Sequence, residues 1–313
     1  MRRRSLGKTG LEIPELCLGT WGLSGDGYGS VAEADQDQVI ERALALDLKA
    51  FETADSYAQG AMESRLGRLL EKHEDAIVIT KVGTDRSVTP PVKRFDPEYL
   101  TEAVKKSRER LKRPIDVLLL HNPSTIALTK DPTRDALLKL KEEGVIKHWG
   151  ASVGNGEIGR VALDQGAEVL ELAYNAFHTR DFSAIAILAD EKGVGVLARS
   201  VLAHGLLCGQ WPTTKTFAPE DHRRERWTDD ELKKRLSQLS AIRPSVSGNV
   251  TSMRAAALRF ALSENRIASV VLGPKSTLQL DQLVRDAGKE PPYLSEDAKR
   301  GLEHRLANVG IQP

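Results

Sequence analysis

Eight short apolar runs alternate with longer segments of helical spacing, and this alternation limits the chain to very few folds. The runs are LCLGT (16–20), AFETA (50–54), AIVITK (76–81), DVLLLH (116–121), VIKHWGAS (145–152), VLELAY (169–174), VGVLARS (194–200) and SVVLG (269–273). Most are almost continuously apolar, the pattern of strands buried on both faces of a parallel sheet. The intervening segments read as amphipathic helices. Residues 34–48 put Val39, Ile40, Ala43, Leu44, Leu46 and Leu48 on one side. Residues 96–111 and 131–144 both open with Asp-Pro, a cap followed by an N1 proline, and the second ends at a glycine. Eight such units in about 280 residues predict a closed (β/α)8 barrel, a TIM barrel formed as a single domain over 1–313. A doubly wound open sheet is the rival, but it has fewer strands and a GxGxxG first turn, which this chain lacks.

RSLGKTGLEIPEL (4–16) precedes the first barrel strand and predicts a β-hairpin around Lys8-Thr9-Gly10 that plugs the barrel bottom. Residues 203–228 form the longest irregular stretch. They read as a lid over the mouth, or as a plain surface insertion.

Charge excludes several function classes. The formal net charge is +1, without the basic excess of a nucleic-acid surface. No run of about 20 apolar residues could span a membrane. The basic start, MRRRSLGKTG, lacks the apolar core of a signal peptide. Cys17 and Cys208 match no metal spacing, so no metal site is expected, and they fit a reduced, cytoplasmic protein. The expected partner is a small-molecule substrate, and the expected state is a monomer or weak oligomer.

In a barrel the chemistry sits at the C-terminal ends of the strands. Those ends carry Gly19-Thr20-Trp21, Glu52 with Tyr57 in the following loop, Lys81, His121-Asn122, Ser152, Tyr174-Asn175 with Glu171 inside the strand, Arg199-Ser200, and Gly273-Pro274-Lys275-Ser276. A carboxylate, a phenol, an ammonium and an imidazole therefore converge on one mouth. A phenol beside an ammonium is expected to titrate lower than usual and to donate a proton to an atom whose neighbouring carbon receives hydride. No side chain donates hydride, so a nicotinamide cofactor must supply it. Lys275 and the Ser276-Thr277 amides, at a helix start after strand eight, suit a phosphate and favour NADPH.

These residues resemble the aldo-keto reductase pattern, from LGKTGLEIPELCLGTW near the start to GPKSTLQLDQL near the end. The family motif Asp-Thr-Ala-x-x-Tyr-Gly becomes Glu52-Thr53-Ala54-Asp55-Ser56-Tyr57-Ala58. The resemblance implies Glu52, Tyr57, Lys81 and His121 as the catalytic set. It implies cofactor contacts from Gly19, Thr20, Ser152, Glu171, Arg199, Ser200, Leu202, Gly273, Lys275, Ser276 and Gln279, and a substrate pocket that includes Trp21, Tyr28 and Asn122.

The departures bear on function. Glu52 replaces the family aspartate and carries its carboxylate roughly 1.5 Å further. Glu171 stands where many relatives have glutamine, Val201 where proline is common, and Leu283 where an asparagine meets adenine. Two extra-reaching carboxylates would make the mouth more anionic and favour a cationic substrate, which predicts an NADPH-dependent reductase of a C=N bond or of an amine- or guanidine-bearing carbonyl. The alternatives are an ordinary aldehyde or ketone reductase that tolerates the Asp-to-Glu change, and an NADPH-binding subunit with little turnover.

Overall fold

The computed structural model describes residues 1–311. Its strands are β1 (Arg3–Ser5), β2 (Glu12–Pro14), β3 (Leu16–Gly19), β4 (Ala50–Glu52), β5 (Ile77–Val82), β6 (Thr84–Asp85), β7 (Val92–Lys93), β8 (Ile115–His121), β9 (Ile146–Ser152), β10 (Val169–Ala173), β11 (Gly195–Arg199) and β12 (Ser269–Leu272). Eight of them close a parallel barrel in the order β10-β11-β12-β3-β4-β5-β8-β9. They coincide with the eight apolar runs, and the fold is the (β/α)8 barrel that the alternation predicts.

Each strand divides its side chains between two cores, because successive residues point to opposite faces. Phe51, Val78, Leu118, Leu170, Val196 and Val270 pack outward in the larger core that the helices complete. Cys17, Ala50, Ile77, Ile79, Val117, Leu119, Val169, Leu197 and Val271 fill the barrel interior. Burying one such aliphatic side chain contributes about 1.5–3 kcal/mol, so a strand that slipped by one residue would lose both cores together.

β1 and β2 pair as an antiparallel hairpin across Lys8-Thr9-Gly10. Leu6 and Ile13 belong to the interior core, and the Lys8 amide donates to the Gly193 carbonyl just before β11. The hairpin therefore closes the N-terminal end of the barrel. A Cβ on Gly195 would lie 2.6 Å from Leu6, so this close approach requires glycine.

Three local expectations change. The first helix is Glu33–Ala45, not 34–48: Asp47 turns into the left-handed region at φ 60° and drops Leu48 into the core. Asp96 caps its helix by accepting the Tyr99 amide at 3.0 Å, but Asp131 is already inside the next helix and pairs with Arg134 instead. The β6–β7 hairpin also has no counterpart in the sequence reading, since two-residue strands carry no periodicity. Among the described residues, no helix is long and apolar enough to cross a membrane.

Candidate active site

The inward register that fills the barrel with Ala50, Ile79, Leu119, Val169 and Leu197 places Glu52, Lys81, His121, Glu171 and Arg199 two residues further on, at the C-terminal mouth. Ser152 lies beside both His121 and Glu171 in the strand register. The strand ends singled out from sequence thus share one face of one barrel.

Lys81 is the centre of the group. Its ammonium is in direct contact with Glu52 Oε1 and lies 3.7 Å from Glu171 Oε2, all three side chains being buried. Burial pushes Lys81 down to about 8 even though the Glu171 carboxylate opposes the fall. Gly19 makes this arrangement possible: a Cβ there would lie 3.0 Å from Glu52 Oε2 and 2.6 Å from Val271 Cγ1. Glu171 is buried at the floor of this mouth and faces Lys81.

The Tyr57 ring lies 5.0 Å below the Lys81 ammonium and 6.0 Å from the His121 ring. The expected lowering of its pKa is not observed. Burial raises it, Glu171 raises it further, and Arg199 only partly compensates, so the phenol stays protonated. His121 is held neutral, its pKa driven well down by burial and by Lys81, Lys93 and Arg199. Lys93 donates to Thr84 Oγ1 at 2.6 Å, which leaves the Thr84 proton for His121 Nδ1 at 3.5 Å. In that tautomer Nε2 carries the other proton and can donate to a ligand oxygen.

Asp55 was passed over in the sequence. Burial and the nearby Glu63 push it up to about 7, and its Oδ1 has no hydrogen-bond partner among the described residues. Its backbone amide donates to the Lys81 carbonyl, tying the Tyr57 loop to β5. Asp55 belongs to the run of ionisable groups after the second strand, Glu52, Asp55, Tyr57 and Glu63, but its place in that run alone assigns it no role.

The lid expectation gains a physical form. Residues 203–228 contain the 3-10 turns Ala203–Cys208 and His222–Glu225 and lie against the loop after β3. Tyr28 is the clasp. It bridges Asp221 through the backbone, and its hydroxyl shares a hydrogen bond with His204 Nδ1 at 3.0 Å. Arg223 stacks on its ring at 4.9 Å while forking onto Asp221. Trp21 packs on Tyr28 and His222 at 5.0 and 4.7 Å. Burial holds His204 down to about 3 and His222 to about 4. A charged run such as HRRER (222–226) is ordinarily a solvated face, yet its His222 and Arg223 belong to this clasp.

The remaining named residues divide into two groups. The Thr20 hydroxyl is buried on Thr53 Oγ1 at 2.9 Å, so it faces no ligand space. Asn122 is exposed in the left-handed region, with its amide on the Ser152 carbonyl. Arg199 donates to the Val153 carbonyl at 3.0 Å. Ser200, also left-handed at φ 56°, offers its carbonyl to Asn175 and starts a turn in which the Val201 and Leu202 amides find no acceptor among the described residues. After the adjoining strand β12, Ser276 caps the helix Thr277–Ala287 through the Gln279 amide, and the space beside Gly273 is open to 4 Å from a would-be Cβ. Unpaired amides, a helix N-terminus and open space form a cradle that fits a dinucleotide phosphate. The Lys275 ammonium donates to the Tyr28 carbonyl at 2.6 Å, and Gln279 Oε1 accepts the Lys275 amide. Among the described residues, no cluster of His, Cys, Asp and Glu is placed to hold a metal.

The family model for the Aldo/keto reductase family matches residues 15–300. The chain belongs to this family. As an aldo/keto reductase, it is 27% identical over 308 residues to the uncharacterized oxidoreductase YqkF of Bacillus subtilis, covering 97% of this chain and 96% of that one. It is 30% identical over 293 residues to L-galactose dehydrogenase of Arabidopsis thaliana, covering 90% and 86%. Its structure matches the holo form of the aldo-keto reductase AKR11C1 from Bacillus halodurans with a TM-score of 0.81, at 25% identity over 97% and 96% of the two chains.

Proposed function

We propose that this aldo/keto reductase is an NADPH-dependent oxidoreductase that interconverts a carbonyl compound and its alcohol. The observation that carries the reading is the convergence of Tyr57, Lys81 and His121 at one mouth, the Tyr57 ring 5.0 Å from the Lys81 ammonium and 6.0 Å from the His121 ring. When bound, the nicotinamide supplies or accepts the hydride at the substrate carbon. The substrate oxygen then receives two hydrogen bonds, from the Tyr57 hydroxyl and from His121 Nε2–H. As negative charge grows on that oxygen, Tyr57 passes its proton to it, and the Lys81 ammonium stabilises the phenolate that remains. Glu52 holds Lys81 in place by direct contact. The cofactor phosphates would be held by the Val201 and Leu202 amides and the helix start at Ser276, with Lys275 and Gln279 beside them. Ser152 would orient the carboxamide.

Reduction of a C=N bond is a second reading, favoured by Glu171 as an added buried carboxylate. Arg199, on the strand paired with that of Glu171, adds a positive charge to the same group, and both carboxylates turn toward Lys81. These two facts put the carbonyl reading first. NADPH consumption by purified protein separates the two. One assay panel holds aldehydes and ketones, with and without ammonium, and the other holds preformed imines. Turnover on plain carbonyls supports the first reading. Turnover on imines alone replaces it with the second, and tight cofactor binding without any turnover would leave a binding subunit.

A further inference from the structure

The proton path from Tyr57 to a substrate oxygen makes no use of Glu171, yet this carboxylate is buried at the heart of the site. Glu171 Oε2 lies 3.7 Å from Lys81 Nζ and has no hydrogen-bond partner among the described residues. A buried acceptor without a hydrogen bond is costly, so the charge facing it must hold it. Lys81 is surrounded on every side by groups that set its charge. Cys17 on β3 lies beneath it, Glu52 on β4 touches it, and Tyr57 presents its ring. His121 on β8, Glu171 on β10 and Arg199 on β11 complete the ring. Cys17 is kept a neutral thiol by burial and by Glu171, so it adds no charge. His121 is neutral as well. The charged set is therefore Glu52 and Glu171 against Lys81 and Arg199.

We propose that Glu171 is a positioning residue for the proton-transfer pair: a second carboxylate that shares the Lys81 ammonium with Glu52 and holds it over the Tyr57 ring. An anion beside an ammonium favours its charged form, and the same anion beside a phenol disfavours the phenolate. Both effects move with Glu171 in the same direction. Asp26, Tyr28 and Arg199 also act on Tyr57, but Glu171 is the largest charged influence on it. A glutamine here would keep the side-chain volume and remove the charge. The consequence is a site tuned to hold its donor proton under mildly alkaline conditions.

The inference rests on Tyr57 as the proton donor, so its test carries a control for that reading. The pH dependence of kcat/KM for carbonyl reduction is measured for the wild type, Glu171→Gln, Glu171→Asp and Tyr57→Phe. In Glu171→Gln the alkaline limb is expected to move down by about one pH unit, and in Glu171→Asp it should fall in between. Without cofactor, the ε-13C resonance of Lys81 should likewise titrate at lower pH in Glu171→Gln than in the wild type. A limb and a Lys81 titration that stay where they are, even with a lower rate at every pH, would overturn the proposal. If Glu171→Gln does not fold, Glu171→Asp alone must still shift the limb, and an unmoved limb there has the same force. Full activity in Tyr57→Phe would instead remove the donor reading itself, a different failure.

Discussion

Gly19 and Glu52 fit together as space and occupant. The longer glutamate reaches Lys81 because Gly19 has no side chain, and a Cβ there would sit 3.0 Å from Glu52 Oε2. Gly19→Ala should therefore lower kcat/KM by about five- to a hundredfold, roughly 1–3 kcal/mol of strain shared between the carboxylate and Val271, whose Cγ1 would lie 2.6 Å from the new Cβ. Glu52→Asp shortens the acid and relieves that contact. The double variant should be less impaired than the sum of the two single changes, and a double-mutant cycle on kcat/KM measures the difference.

Lys81 is expected to tolerate neutral replacement poorly. Lys81→Met leaves Glu52 and Glu171 facing each other without a cation, and breaking a buried pair in this way costs about 3–5 kcal/mol. Chemical denaturation should show that loss at neutral pH. It should shrink under acid conditions, where a proton can replace the ammonium. An unchanged unfolding midpoint would mean that the carboxylates are not held by Lys81.

Asp55 supplies a stability prediction of opposite sign to ordinary acid denaturation. Its folded pKa is raised to about 7, above the unfolded carboxyl value, so folding favours the protonated form. The stability this group contributes is present at low pH and is lost as pH rises toward 7. Asp55→Asn keeps an amide in place of the charged acid. It should raise the unfolding free energy at pH 8 by roughly 2–4 kcal/mol, read as a higher melting temperature, and leave both nearly unchanged at pH 4.

The Tyr28 clasp should open in acid. His204 and His222 have folded pKa values of about 3 and about 4, below the usual histidine value. Their contribution is present above about pH 6.5 and is lost as pH falls toward 4. Trp21, Trp211 and Trp227 belong to this aromatic group, and the fourth tryptophan, Trp149, is in the core. Tryptophan emission should shift to longer wavelength over that window. Tyr28→Phe removes one hydrogen bond, worth about 0.5–1.5 kcal/mol, and should move the transition to higher pH.

The barrel was legible in the sequence because a parallel sheet covered on both faces leaves almost unbroken apolar runs, and eight of them admit one closure. Glu52, Lys81 and His121 were legible because strand ends in such a barrel all open on one mouth. The facing of Glu171 was not. Its distance to Lys81 depends on how β10 and β5 sit across the barrel interior, and strand pairing in the sequence does not report that. The raised Tyr57 pKa was missed for a similar reason: an adjacent ammonium argues for a fall, but burial outweighs it. The clasp was hidden because Tyr28, His204 and Asp221 are far apart in the chain and meet only through two irregular loops.

The most direct measurement compares wild type and Tyr57→Phe for both turnover and cofactor affinity. If Tyr57 delivers the proton to the substrate oxygen, kcat/KM should fall by about 10²–10⁴. The dissociation constant for NADPH should stay within about twofold, because the hydroxyl makes no contact in the phosphate cradle. A Tyr57→Phe enzyme that reduces carbonyl substrates at the wild-type rate would contradict this mechanism.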